Sequence, residues 1–363
     1  MKIAFIGQKG IPAKTGGVER HVEFLSQHLA NLGLEILVYN RRGYLANKQE
    51  EWQGVKLISK PFINTKNLAN ISHTLLASLD VIRRRPDVIH YHGVGPSLLL
   101  WLPKIFLPKT KFIATLHSFD YDNDKWSAFA KFMLRLGESF MCRFADEIIT
   151  LTPATQRYVL EKHKRQSYLI PNGTEIKDES LNDSVDILQE WNLDKQSYIF
   201  SASRLIRLKG IQYLISAYNN LKTDKKLVIA GEGEYETELK RLAGDNKNIL
   251  FIGNQSGQKL RALYTNTYLF VQSSEMEGMS LSLLEAMGHG APCLASDILA
   301  NKEALADCGY YFKTQDTKDL EVKLNKLLNN SDEIFTMAQK SFKRAQLEYT
   351  WDIVATKTLE VYK

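Results

Sequence analysis

The sequence has little cysteine, no long hydrophobic run and no internal repeat. Its three cysteines, Cys142, Cys293 and Cys308, are scattered and form no Cys-x-x-Cys spacing, which excludes a disulfide framework and favours a reducing compartment. Prolines and a lysine interrupt the most apolar stretch, 94–108, so it cannot supply the about 20 apolar residues of a membrane-spanning helix. The apolar run at the amino terminus, before Gln8, is too short for a signal-peptide core. We therefore expect a soluble, cytoplasmic protein.

Signatures for dinucleotides, calcium and nucleic acids are also missing. The segment Gly231-Glu232-Gly233 follows a predicted strand, but the third glycine of a dinucleotide fingerprint is replaced by Glu236. The acidic run Asp120–Asp124 is followed by Lys125 and Lys131 where a calcium loop needs Gly and Glu. No basic patch interleaved with aromatic residues indicates a nucleic-acid-binding module. We expect no cofactor, no bound metal and no nucleic-acid partner.

The charge is unevenly distributed along the 363 residues, a length that suits two domains of middling size. Residues 1–172 carry 24 Lys and Arg against 14 Asp and Glu, whereas residues 173–363 carry 23 against 27. The basic half could meet an anionic membrane surface, a diphosphate-bearing acceptor or nucleic acid. Ordinary solvated Lys and Arg side chains explain it equally well.

Short β-rich runs alternate with amphipathic helical stretches throughout, which predicts doubly wound parallel sheets. In the first half, strands are predicted at 2–7, 35–39, 55–59, 87–91, 111–116, 147–151 and 168–170, with helices at 18–32, 67–84, 125–144 and 153–162. In the second half, strands are predicted at 198–203, 226–230, 248–252, 268–272 and 292–295, with helices at 211–221, 235–243, 258–266, 281–289 and in most of the last 45 residues.

The polar, acidic segment 172–196 breaks this alternation and predicts the connection between two Rossmann-like domains. We assign residues 1–172 to an amino-terminal acceptor-binding domain and residues 173–363 to a carboxyl-terminal donor-binding domain. The last helix could pack back on the first domain. Two such sheets would leave a ligand cleft facing the carboxyl ends of their strands.

A glycine-containing loop follows the first predicted strand and ends in Gly16 and Gly17, at the amino end of a helix. Free backbone N–H groups and the helix dipole favour phosphate there, and glycine lets the backbone approach an anion closely. A flexible turn would have the same sequence, so this signal is weak alone.

The second half places cations and carboxylates at the ends of strands. Arg204 and Lys209 follow a predicted strand; a guanidinium can grip a diphosphate through paired donors, and an ammonium acts as a point charge. Glu277 precedes a predicted helix and Glu285 lies within it, amid apolar neighbours. Carboxylates accept hydrogen bonds from ribose and sugar hydroxyls, so this pattern fits a nucleotide sugar.

Taken together, these motifs resemble those of family-4 glycosyltransferases of the GT-B fold, an α/β fold of two Rossmann-like doubly wound domains. The amino half is similar to the rhamnosyltransferase-type branch. The matching segments, which occur in the family's order over most of the chain, are Gly16–Glu19, His90–Gly93, Thr115–His117, Lys125-Trp126, Pro171–Gly173, Ser203–Leu205, Lys209-Gly210 and Glu277–Ala286. The family's usual Gly before the clamp arginine is Ser203 here.

The resemblance implies a role for each matching residue. Arg204 and Lys209 would bind the donor diphosphate and stabilise the leaving nucleotide in place of a metal ion. Glu277 would bind the transferred sugar, Glu285 the ribose, and His117 would lie near the reacting carbon. The remaining residues implied in donor binding are Gly16, Gly17, Gly278, Met279, Ser280 and Leu281. Asp120 is a candidate for acceptor contact.

The sequence thus predicts a retaining, metal-independent glycosyltransferase that moves a sugar, such as rhamnose, from a dTDP- or UDP-linked donor. The expected acceptor is a glycan of a bacterial surface polysaccharide (capsule or O-antigen), carried on a lipid. Its basic half would contact the inner face of an anionic membrane peripherally. Two alternatives stay open: a nucleotide-sugar epimerase or hydrolase of the same fold, and a non-catalytic sugar-nucleotide-binding subunit.

Overall fold

The computed structural model describes residues 1–46, 49–65, 68–118, 127–177 and 185–363. The chain forms two units. The first comprises Met1–Gly173 together with Trp351–Lys363, and the second comprises Thr174–Thr350. The division falls one residue after the boundary predicted from the sequence, and the last helix lies in the first unit.

An eight-stranded sheet forms the centre of the first unit, in the order β3-β4-β2-β1-β5-β6-β7-β8. Its strands are β1 Lys2–Ile6, β2 Glu35–Arg41, β3 Glu51–Trp52, β4 Val55–Lys60, β5 Val88–His92, β6 Lys111–Leu116, β7 Glu147–Thr150 and β8 Tyr168–Leu169. Every neighbouring pair is parallel except β3 with β4. The five residues of β5 are all buried, as expected for a parallel strand covered on both faces.

Helices cover this sheet. They are α1 Gly17–Asn31, α2 Leu68–Arg84, α3 Val94–Ser97, α4 Trp101–Phe106, α5 Ala128–Phe144, α6 Pro153–His163 and α15 Trp351–Tyr362. Two of them begin with capping side chains that accept a backbone N–H from the first turn: Ser127 for α5 and Thr152 for α6. No helix among the described residues is both long and apolar enough to cross a membrane.

The second unit has a six-stranded, entirely parallel sheet in the order β11-β10-β9-β12-β13-β14. Its strands are β9 Tyr198–Ala202, β10 Lys226–Ala230, β11 Ile249–Phe251, β12 Leu269–Gln272, β13 Cys293–Ser296 and β14 Tyr310–Phe312. Its helices are α7 Val185–Gln189, α8 Ile211–Asn219, α9 Glu236–Ala243, α10 Gly257–Asn266, α11 Leu281–Gly288, α12 Leu299–Leu305, α13 Thr317–Leu328 and α14 Ser331–Glu348, with a 3-10 turn at Arg207–Lys209.

In both sheets the strand order reverses at one strand, β1 in the first unit and β9 in the second. The loops that leave the carboxyl ends of the strands diverge at such a point, and ligands of open α/β sheets bind there. In the first unit this point lies between β1 and β5, and in the second it lies between β9 and β12. The fold class expected from the sequence, two Rossmann-like doubly wound α/β units, is confirmed.

The structure contains several short elements that were not predicted from the sequence, namely β3, β14, α3, α4, α7 and α12. The apolar stretch 94–108 was interpreted only as an interrupted run, yet it contains α3 and α4. Pro96 and Pro103 are each the third residue of their helix, where a missing backbone N–H costs no intrahelical hydrogen bond. The predicted start of the helix at Lys125 lies outside the described residues.

Candidate active site

The loop that leaves β9 lies against the loop that leaves β12. The Ser273 hydroxyl donates to the Lys209 carbonyl at 3.0 Å, and the Glu275 backbone N–H donates to the Leu208 carbonyl at 2.9 Å. Gly210 joins the 3-10 turn to α8 with a left-handed φ of 67°, and a Cβ there would lie 1.9 Å from the Ser273 carbonyl oxygen. Only glycine fits this close approach, so the two loops are held in one arrangement.

This arrangement brings together Lys209 and Glu277. The Lys209 ammonium lies 2.5 Å from Glu277 Oε1, and the two side chains are only 17% and 9% exposed. Gln272 Nε2 donates to the same oxygen at 2.9 Å and the Ser274 hydroxyl at 2.6 Å. A buried carboxylate is stabilised by such a set of one cation and two neutral donors.

The second carboxylate oxygen, Glu277 Oε2, accepts no hydrogen bond from the described part of the chain, and it is not among the buried unsatisfied atoms. Arg204, in the loop after β9, is exposed, and its guanidinium makes no hydrogen bond or ion pair with any described residue. The site therefore presents a carboxylate oxygen and a guanidinium that a ligand can use.

The residues that follow Glu277 lead into α11. Met279 and Ser280 are buried, and Ser280 caps the helix by accepting the Leu283 backbone N–H at 3.3 Å. Gly278 lies in the loop and Leu281 is the first residue of the helix. Glu285, the fifth helical residue, is buried and accepts the Tyr264 hydroxyl at 3.1 Å.

The Tyr264 ring stacks on His289, at a centroid distance of 5.9 Å and an interplanar angle of 10°. Glu285 is thus held by its own unit before any ligand binds. Its contact with a ribose stays a prediction.

The glycine loop after β1 uses many of its backbone N–H groups within the first unit. Those of Lys9, Ile11, Ala13 and Lys14 donate to side-chain oxygens of Glu19, Asn40, Glu23 and Tyr44. Gly16 is the N-cap of α1, and a Cβ there would lie 2.2 Å from the Glu19 carboxylate. A carboxylate therefore already lies at this helix start, and a phosphate role for Gly16 and Gly17 stays a prediction.

His117 follows β6 and lies in a cluster of buried histidines. Its Nε2 is 3.0 Å from His92 Nδ1, at the carboxyl end of the neighbouring strand β5. His21, on α1, has its ring centroid 4.8 Å from that of His117, and its Nδ1 is 2.8 Å from Asn172 Oδ1. His90 lies beside them, with its two ring nitrogens bonded to Tyr362 and Thr115.

Burial keeps these four rings neutral. Burial lowers the pKa of His21 to about 4, although the hydrogen bond with Asn172 raises it in part. Burial also lowers the pKa of His90, His92 and His117 well below the ordinary value, and neighbouring histidines lower them further. A neutral ring can offer a nitrogen lone pair or an N–H without adding charge.

The sequence identified only His117 of this cluster as functional. The alternation of His90 and His92 puts both on one face of a strand, and His117 follows another strand. This pattern could have indicated a histidine cluster, but the sequence does not show that β5 and β6 are neighbours in the sheet. Asp120, the acceptor candidate, lies outside the described residues.

Lys209→Met leaves the Glu277 carboxylate buried without a cation. We expect it to lower the free energy of unfolding by about 1–3 kcal/mol, less than for a wholly buried pair because both side chains keep some exposure. Adding Glu277→Gln should recover part of this loss. Urea unfolding of the two single variants and the double variant gives the coupling energy, which we expect to be about 1 kcal/mol or more.

The pair Lys240 and Glu236, with ammonium and carboxylate 2.7 Å apart, is the matched control, because its side chains are more exposed, at 56% and 29%. Lys240→Met and Glu236→Gln should show a coupling below about 0.5 kcal/mol. Equal coupling in the two cycles would contradict the structural importance of the Lys209–Glu277 pair.

The buried histidines also make stability depend on pH. Their folded-state pKa lies below that of the unfolded chain, about 6.5, so the unfolded state binds more protons in acid. Their contribution to the free energy of unfolding is complete above the pKa of the unfolded state. It is lost as the pH falls towards the pKa of the folded state. Each buried histidine should cost about 2 kcal/mol of stability between pH 7 and pH 5.

Urea unfolding in EDTA at pH 7, 6 and 5 measures this loss. Carboxylates with a lowered pKa, such as Asp80 at about 2, are ionised in both the folded and the unfolded state over most of this pH range. They therefore add little to the change in the free energy of unfolding. A free energy of unfolding that does not change between pH 7 and pH 5 is incompatible with neutral buried histidines.

Two family models match the chain. Residues 15–178 match the family model Glycosyltransferase Family 4, and residues 184–345 match the model Glycosyl transferases group 1. The two models fall on the first and the second unit and together match most of the chain.

Two relatives of the chain are distant but similar over most of their length. The chain is 25% identical to an uncharacterized glycosyltransferase of Methanocaldococcus jannaschii, over 100% of this chain and 98% of that protein. It is 23% identical to the N,N'-diacetylbacillosaminyl-diphospho-undecaprenol alpha-1,3-N-acetylgalactosaminyltransferase of Campylobacter jejuni, over 93% of this chain and 88% of that enzyme.

Among solved structures, that of Anabaena HepE in complex with UDP-glucose matches with a TM-score of 0.82, at 18% identity and with 99% of each chain covered. This likeness shows the fold. With a family-4 domain followed by a group-1 domain, the chain is a glycosyltransferase of the GT-B fold.

Proposed function

We propose that the second unit binds a nucleoside-diphosphate sugar and that the enzyme transfers the sugar to a glycan acceptor without using a metal ion. The observation that carries this proposal is the Lys209–Glu277 ion pair where the strand order reverses at β9, with the exposed Arg204 in the same loop as Lys209. Two cations and a carboxylate with one open oxygen match the two chemical parts of such a donor, its diphosphate and its sugar hydroxyls.

The diphosphate binds to the cations. The exposed Arg204 guanidinium offers several N–H donors in a planar fork that suits phosphate oxygens. The Lys209 ammonium has three donors, so it can keep its bond to Glu277 and still donate to a phosphate oxygen. Negative charge grows on the diphosphate as the bond to the sugar breaks, and cations already in place stabilise it.

The sugar binds to Glu277. Its Oε1 is held by Lys209, Gln272 and Ser274, which fixes the orientation of the carboxylate. Its Oε2 is then aimed to accept a sugar hydroxyl. His117, neutral because it is buried, is proposed to contact the donor sugar through a ring nitrogen, as the family resemblance implies.

The finer assignments rest on the resemblance and on similar proteins. We propose a UDP- or dTDP-linked donor, a deoxyhexose such as rhamnose, and retention of anomeric configuration. The HepE structure in complex with UDP-glucose supports a uridine nucleotide. The Campylobacter enzyme, whose name specifies a diphospho-undecaprenol acceptor, supports a lipid-linked acceptor and surface polysaccharide synthesis.

A surface of the first unit supports peripheral contact with a membrane. Helix α5 exposes Phe129 by 72% and Phe132 by 60%, one turn apart at its amino end. Large apolar side chains exposed together mark interaction sites. Residues 1–172 also carry 24 Lys and Arg against 14 Asp and Glu, a charge that suits an anionic leaflet.

Arg204→Ala should weaken donor binding about 10- to 100-fold, because a charged hydrogen bond contributes about 1.5–3 kcal/mol. Thermal shift with UDP, dTDP, UDP-glucose and dTDP-rhamnose, with and without EDTA, measures this loss and identifies the base. Arg241→Ala, at an exposed cation paired with Glu238 in the same unit, is the control and should bind like wild type.

A stabilisation that EDTA abolishes would overturn the metal-independent mechanism. No shift with any nucleotide would overturn the proposed donor site, whereas nucleotide binding without any sugar transfer would favour a non-catalytic sugar-nucleotide-binding subunit. Sugar release from the donor without any acceptor would indicate a hydrolase.

Phe129→Ser/Phe132→Ser should reduce binding to anionic liposomes at least tenfold, because it removes two exposed rings that would enter the lipid surface. The matched control is Phe335→Ser/Leu347→Ser on α14 of the second unit, where both side chains are equally exposed. Sedimentation with liposomes at low and high salt measures the effect. The membrane proposal fails if the wild type does not bind anionic liposomes at low ionic strength.

A further inference from the structure

We propose that His21, His92 and His117 form a binding site for one transition-metal ion, such as Zn²⁺, inside the first unit. Each of the three offers one ring nitrogen, and these nitrogens all lie within 4.8 Å of one another. Around a tetrahedral Zn²⁺ with Zn–N distances of about 2.0–2.1 Å, ligand nitrogens lie about 3.4 Å apart. Shifts of about 1 Å therefore suffice to close the site.

The orientation of His21 supports this assignment independently. Its Nδ1 faces Asn172 Oδ1 at 2.8 Å, and because an amide oxygen only accepts, Nδ1 carries the proton. The lone pair is then on Nε2, which is buried and has no hydrogen-bond partner among the described residues. Metal-bound histidines are held in this way, with the second ring nitrogen donating to a neighbouring oxygen.

His92 and His117 complete the set. His92 Nδ1 and His117 Nε2 are 3.0 Å apart, close to the separation of two nitrogens on one zinc ion. A metal ion would replace the single proton shared between them. His90, by contrast, cannot be a ligand without losing a partner, because Tyr362 and Thr115 occupy its two nitrogens at 2.6 and 2.7 Å.

The type of ligand determines the type of metal. Three neutral imidazoles with no carboxylate suit Zn²⁺, Co²⁺, Ni²⁺ or Cu²⁺ and do not suit Mg²⁺ or Ca²⁺, which prefer oxygen. His117 is the most exposed of the three, at 9%, so a fourth ligand such as water would enter on its side. Three protein ligands and one open position are typical of exchangeable or reactive sites rather than closed structural ones.

Metal binding has a consequence that rests on the proposed function. The ion would engage His117, which the proposed function assigns to the donor sugar, and would not involve Arg204 or Lys209. Zinc should therefore inhibit transfer while nucleotide binding to the second unit stays unchanged.

The test is titration of the EDTA-treated, desalted full chain with Co²⁺, followed by competition with Zn²⁺. We expect one ion per chain, a visible absorption band of tetrahedral cobalt, and no response to Mg²⁺. His21→Gln should weaken binding more than 100-fold, and Asn172→Ala, which removes the hydrogen bond that orients His21, about 10-fold or more. His28→Gln, at a histidine on the same helix that pairs with Asp352, should leave affinity unchanged.

Circular dichroism and UDP thermal shift check that each variant folds, and His117→Gln replaces His21→Gln if the latter does not. Absence of stoichiometric Co²⁺ or Zn²⁺ binding to the wild type would overturn the metal site. Equal binding by wild type, His21→Gln and His117→Gln would overturn it as well, by showing that the ion binds elsewhere. Failure of nucleotides to bind the metal-free chain would refute the proposed function and leave the metal site standing.

Discussion

The Glu277 carboxylate is a negative charge in a mostly buried position, and the geometry of the second unit's site depends on its neutralisation. A buried carboxylate without a counter-charge costs several kcal/mol, so the loop after β12 needs a cation from elsewhere. Lys209 supplies it from the loop after β9, and Gly210 lets the two loops approach closely enough for the ion pair to form. A diphosphate therefore meets positive charge whose position is already determined by the protein, which is the condition for efficient electrostatic stabilisation.

In the first unit, the clustered buried histidines are neutral rather than paired with an opposite charge. The four histidines of its cluster have no ion-pair partner among the described residues, and burial removes their charge instead. The hydrogen bond with the Asn172 amide oxygen places the His21 proton on Nδ1, and hydroxyls of Tyr362 and Thr115 bond both nitrogens of His90. The carboxyl ends of the two sheets thus differ chemically: one presents fixed charges, and the other presents neutral rings with directed lone pairs.

Most long elements were predictable from the sequence, because buried parallel strands such as β1 and β10 are mostly apolar runs bounded by polar loops. The role of Arg204, Lys209 and Glu277 as ligands stays a prediction, but their positions in loops after strands were predictable. That Lys209 and Glu277 pair with each other was not, since it depends on β9 and β12 being neighbours although they are far apart in the chain. The histidine cluster was missed for the same reason: β5, β6 and α1 converge only in the folded unit.

The position of α15 has a consequence for synthesis of the chain. Its Trp351 contacts the ring of His21, and its Tyr362 binds His90, so the first unit is completed by residues that are made after the whole second unit. Domains ordinarily fold as they leave the ribosome, amino-terminal domain first. Here the second unit can finish folding while the first still lacks α15, and the first unit reaches its final form only after the second unit has been synthesised.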